Sequence, residues 1–179
     1  MQDTMNAGGD LRWVQPKRRK RDSELHSGAT VVAALRWTAH ARALGQWGAA
    51  QYEFSREGWL RQRVLVRDPG ADAGPARGPL ATYTQRGATL AFPDGRTFLW
   101  KKPRRLTRER LWADSAGTEL VRFRPEKGST LVLLGAADSA PPPELPLLVL
   151  LGQYMLVLAA QDAEEASVAA SVTAVIASS

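Results

Sequence analysis

Apolar and polar residues alternate along the middle of the chain, and one unbroken apolar run follows near residue 145. Gln51-Tyr52-Glu53-Phe54 places Tyr52 and Phe54 on one face and Gln51 and Glu53 on the other, the period of a half-buried strand. Residues 30–37 read as a strand with Val31, Val32, Leu35 and Trp37 as its bulky members. Gly58 breaks the next stretch, and 59–67 predicts a further strand. Its faces divide as Leu60, Val64 and Val66 with Gln62, against Trp59, Arg61, Arg63, Leu65 and Arg67. The Pro-, Gly-, Ala- and Asp-rich 68–79 is a loop.

Two hairpins come next. Residues 89–92 and 96–100 flank Pro93-Asp94-Gly95. A two-residue loop would scatter the aromatics over both faces. A three-residue loop uses Pro93 and Asp94 in a type I turn and Gly95 at positive φ. Phe92 then pairs with Arg96, and Leu90, Phe92, Phe98 and Trp100 share one face. That register is preferred because it buries one coherent face. The second hairpin joins Arg110–Ala113 to 118–124 through Asp114-Ser115-Ala116-Gly117, with Val121 and Phe123 on one face and Leu120, Arg122 and Arg124 on the other. Ser129–Leu134 is the last predicted strand. No helical period precedes residue 140, so the spacing of strands and turns predicts an all-β barrel or sandwich.

Residues 140–144 form a Pro-rich linker, and Pro146 suits the first turn of a helix. The segment 145–160 carries no charge and is apolar almost all round, so its home is a protein core or a bilayer. Sixteen residues rise about 24 Å, short of the roughly 30 Å of a hydrocarbon core. Gly152-Gln153 interrupts the run, and Asp162, Glu164 and Glu165 follow it in place of a cationic anchor. A buried central helix is the expectation. A membrane span or tail anchor through 145–160 is the alternative.

Charge adds a candidate chemistry. The chain has 179 residues, a net charge of +6 and no cysteine. Disulfides, thiolate metal sites and cysteine nucleophiles are excluded. The opening residues show no secretory pattern, which points to the cytoplasm. The basic balance favours anionic partners. Lys17, Arg18, Arg19, Lys20 and Arg21 form one cationic run, and Lys101, Lys102, Arg104 and Arg105 open a second that continues through Arg108 and Arg110. Both are candidate anion-binding stretches, since arginine forks match phosphate geometry. Solvated charge is the plainer account of each. His26 and His40 lack metal-ligand spacing, and Asp68, Asp94 and Asp114 sit in turns where local backbone bonding explains them. No phosphate loop or nucleophile elbow is present. No catalytic residue, metal or cofactor is assigned.

The layout of strand, Asp-Gly turn and strand leading into an apolar helix resembles the tubby C-terminal-like superfamily, which includes the LURP-one-related proteins and the phospholipid scramblases. The segments that carry the resemblance are 58–68, 88–100, 119–125 and 145–152. It is closest in character to uncharacterised bacterial members. It implies a closed antiparallel β-barrel threaded by a hydrophobic C-terminal helix, and membrane-related binding: tubby-like domains bind phosphoinositides, and scramblases have been linked to lipid movement and calcium. No headgroup motif or acidic calcium loop matches here, so none of those residues is carried over. The expectation is therefore a disordered basic arm over 1–26, a barrel over 27–162 with its helix near 145–161, and a low-complexity tail over 163–179. The expected role is non-enzymatic and cytoplasmic: binding of an anionic phospholipid surface or a protein partner. A nucleic-acid-binding basic barrel is the alternative from another class.

Overall fold

The computed structural model describes residues 10–16, 21–58, 62–70, 78–135 and 141–177. Among the described residues, twelve antiparallel strands form a closed β-barrel with one helix through it. The strands are β1 (Leu11–Val14), β2 (Ser23–Ser27), β3 (Thr30–Ala39), β4 (Arg42–Trp47), β5 (Ala50–Glu57), β6 (Arg63–Arg67), β7 (Ala81–Thr84), β8 (Thr89–Ala91), β9 (Thr97–Lys101), β10 (Arg110–Ala113), β11 (Glu119–Glu126) and β12 (Ser129–Leu134). Each pairs with the next in sequence, and β1 closes on β12 with Trp13 opposite Thr130. Closure leaves no open sheet edge.

The helix α1 (Leu145–Ala177) explains why the sheet closes. A helix apolar on every side needs neighbours on every side. It packs against β3, β4, β5, β10 and β11. Leu148, Leu150, Leu151 and Tyr154 are fully buried against inward-facing Leu35, Phe54, Trp112 and Phe123. Residues 145–158 lie in the barrel core, as expected of a buried central helix, but not because the helix is short: it spans 33 residues, and Leu145–Ala170 is by length and composition long and apolar enough to cross a membrane.

The first hairpin adopts the three-residue register. Leu90 pairs with Phe98, and the Phe92 amide donates to the Arg96 carbonyl at 2.9 Å. The Gly95 amide donates to the Phe92 carbonyl at 3.0 Å, and Gly95 has φ +89°. Leu90 and Phe98 are buried, and Phe92 and Trp100 pack on the same core. In the second hairpin, Val121 and Phe123 point inward, and a register shift falls between Trp112 and Ala113.

Three expectations change. The barrel does not begin at residue 27, because β1 and β2 belong to its wall, anchored by the buried Trp13 and Leu25. The expected disordered arm over 1–26 is therefore too long. The helix does not stop near 161. It continues to Ala177 through the segment expected as a low-complexity tail. Alanine has the best helix propensity, and the buried half supplies the nucleus from which the helix propagates. The strand expected over 59–67 spans Arg63–Arg67, and Trp59, Leu60 and Arg61 lie outside the described residues.

Candidate functional site

In an antiparallel barrel whose strands follow sequence order, connections alternate between the two ends. The links β1–β2, β3–β4, β5–β6, β7–β8, β9–β10 and β11–β12 share one end. The links β2–β3, β4–β5, β6–β7, β8–β9, β10–β11 and the entry to α1 share the other. Charge divides with them. Among the described residues, the links at the first end carry the seven cations Arg21, Arg86, Lys102, Arg104, Arg105, Arg108 and Lys127, against the two acids Asp22 and Glu109, and the emerging helix adds the acids Asp162, Glu164 and Glu165 at the same end. Links at the second end carry the four acids Asp68, Asp94, Asp114 and Glu144, against the one cation Arg96. The helix enters at the acidic end, where Arg96 pairs with Glu144. It leaves at the basic end, where Arg56 holds Asp162 at 2.7 Å.

The acids at the far end are engaged in turns. Asp68 accepts from the Gly70 amide at 2.9 Å, Asp94 from the Arg96 amide at 3.1 Å and Asp114 from the Thr118 amide at 2.8 Å. The Arg96 bonds hold the Asp94 carboxyl below the usual carboxylate range. These aspartates serve local backbone geometry, as their turn positions predict.

The β9–β10 link forms an exposed feature of the basic end. The Thr107 amide donates to the Arg104 carbonyl at 3.3 Å, closing a turn with Arg105 and Leu106 at its tip. Leu106 is 98% exposed. Lys102, Arg104, Arg105 and Arg108 surround it, all exposed, and none pairs with a described carboxylate. The one acid of the link is already committed. Glu109 accepts from Arg124 Nε at 2.7 Å and from Arg122 at 3.3 Å, and the Arg124 bond in particular holds its carboxyl low. A cleft of about 520 Å³ opens beneath the turn between Arg104, Arg122, Arg124 and Leu106.

The predicted anion-binding residues separate in space. Lys102, Arg104 and Arg105 come together at the turn. Lys101 does not join them. It ends β9, and its Nζ runs along the wall to within 3.7 Å of a Cβ built on Gly117, at the acidic end. Arg21 is at the basic end but is anchored, with its guanidinium 5.7 Å over the Trp37 ring and donating to the His40 carbonyl at 3.0 Å. Lys17, Arg18, Arg19 and Lys20 lie outside the described residues.

A second cleft, of about 490 Å³, is lined by Arg21, Asp22, Trp37 and His40 beside the helix exit. Trp37 stacks on Tyr154 at 5.1 Å, and the Tyr154 hydroxyl donates to the Ala41 carbonyl at 2.7 Å. Burial pushes the Tyr154 phenol well above its ordinary value. His40 lies 2.8 Å from Gln161 Nε2 and 3.7 Å from Glu165. Among the described residues, no group of three or more His, Asp or Glu could hold a metal ion.

The exposed apolar tip Leu106 is a feature that reading for cations alone passes over. The signal was its place between Arg105 and Thr107 within a charged run. Comparison with family models, with curated proteins and with solved structures gives no match.

Proposed function

We propose that this barrel is a non-enzymatic binding domain that docks on anionic phospholipid surfaces through its basic end. The observation that carries this is the β9–β10 turn, an exposed leucine set among four cations that have no described carboxylate partner. Each cation at an anionic surface contributes about 1 kcal/mol, so the four together supply about 4 kcal/mol at low salt. Leu106 adds up to about 1.5–3 kcal/mol if its side chain leaves water. The acidic end repels the same surface, so the charge division orients the barrel as well as attracting it.

The resemblance in layout to the tubby C-terminal-like superfamily favours the same class of partner, because lipid association recurs there. The anionic cytoplasmic leaflet is the surface that fits. Nucleic acid would also answer the cations. A bare aliphatic tip offers no stacking face to a base, so a bilayer suits the turn better.

Flotation with vesicles of phosphatidylcholine plus phosphatidylserine tests the proposal, with phosphatidylcholine alone as the comparison. Binding to the mixed vesicles that weakens as salt rises is expected. No association at low salt, or retention by nucleic acid in preference to vesicles, would overturn it.

A further inference from the structure

The helix leaves the barrel at the end proposed to face lipid. Gln161 is the last buried residue among the helix side chains described, at 7% exposure, and residues 162–170 are exposed while α1 runs on to Ala177. Acids are confined to the first turns outside, at Asp162, Glu164 and Glu165. Arg56 holds Asp162 there, and His40 faces Glu165. Beyond them, 166–177 contains no charged residue. Its bulk is Val168, Val172, Val175 and Ile176, and its only polar residues are Ser167, Ser171 and Thr173. Val168 is 64% exposed.

Twelve helical residues rise about 18 Å. One leaflet of a roughly 30 Å hydrocarbon core is about 15 Å thick. A helix keeps its backbone bonds internal, and serine or threonine hydroxyls can bond back to the preceding turn, so such a segment tolerates hydrocarbon.

We infer that when the basic end rests on an anionic bilayer, residues 166–177 enter the facing leaflet. The inference rests on the docking proposed for that end. Charge complementarity selects the bilayer over a second copy of the chain. Two copies meeting through this segment would bring two cation-rich ends together, whereas anionic headgroups neutralise one. The acids Asp162, Glu164 and Glu165 then stay at headgroup depth, clear of the hydrocarbon. The barrel keeps 145–158 as its core throughout, so insertion needs no unfolding.

Because the chain has no cysteine, single labels are simple to place. Full-length Val172→Cys, Ile176→Cys and Ser115→Cys would each carry an environment-sensitive fluorophore, with Ser115 at the acidic end as the control. On phosphatidylserine-containing vesicles, the labels at 172 and 176 should shift to the blue, brighten several-fold and be quenched by lipids carrying spin labels in their acyl chains. The label at 115 should not respond. Binding with the labels at 172 and 176 still in water would overturn insertion and leave docking standing. No binding would overturn both. A blue shift without vesicles that grows with protein concentration would assign the segment to a second copy instead. As a label-free check, Val172→Asp/Ile176→Asp should bind about tenfold more weakly, because aspartate is costly in hydrocarbon. Its thermal midpoint should stay unchanged, and unchanged affinity would contradict insertion.

Discussion

A methyl group on Gly152 would land in the Phe123 ring, and one on Gly45 would lie 2.8 Å from Phe54 Cε2 and 3.2 Å from Leu150 Cδ1. At these two glycines helix and wall approach closely. In the sequence, Gly152 reads as a flaw in a membrane span. In the fold it makes room for a buried aromatic ring. Gly152→Ala should destabilise by about 1–3 kcal/mol through overpacking, read from the denaturant midpoint. An unchanged midpoint would mean that Phe123 yields freely. Tyr154 contributes to the alkaline limit. Its phenol, raised by burial, stays protonated past the pH of about 10 at which an unfolded tyrosine ionises. Above that pH the native state binds the extra proton, so stability falls as pH rises. Burial raises Tyr83 and Tyr52 in the same direction. Tyr154→Phe should therefore lessen the stability lost between about pH 9 and about pH 11, while forfeiting about 1 kcal/mol from the Ala41 bond. Denaturation across that range checks both; an equal slope in the variant would remove Tyr154 as the cause.

At the scale of elements, bulky alternation made some strands legible and small inward residues hid others. The turn Pro93-Asp94-Gly95 fixed its hairpin because each residue suits one backbone position. β12 likewise falls at its expected bounds. β4 is hidden in the sequence because its inward positions include Ala43 and Gly45, kept small by the passing helix. β7 turns in only Ala81 and Tyr83, and β1 and β2 flank a cationic run that reads as solvated. The helix has two unlike halves. Leu150 is fully buried, so Leu150→Ala should cost about 2–5 kcal/mol. Val168→Ala, outside the barrel, should change stability by no more than about 0.5 kcal/mol. Comparable losses at both sites in chemical denaturation would show that the outer half is packed on something.

On the scale of the whole molecule, charge is segregated along the barrel axis, and this was not legible in the sequence. The end to which a connection belongs depends on how many strands precede it, so each overlooked strand exchanges the two ends for every later connection. With twelve strands in order, Arg21, Arg86, Lys127 and the β9–β10 turn gather at the end where the helix emerges. The central claim is that this end meets anionic lipid. It is tested most directly by the affinity of two equal charge reversals for phosphatidylserine-containing vesicles at low salt. Arg105→Glu lies in the exposed turn, and Arg36→Glu lies exposed on the side wall in β3. Arg105→Glu should weaken binding by about tenfold and flatten its salt dependence, with Arg36→Glu close to the unaltered chain. Equal weakening by the two reversals, or an unaltered chain that ignores these vesicles, would contradict the claim.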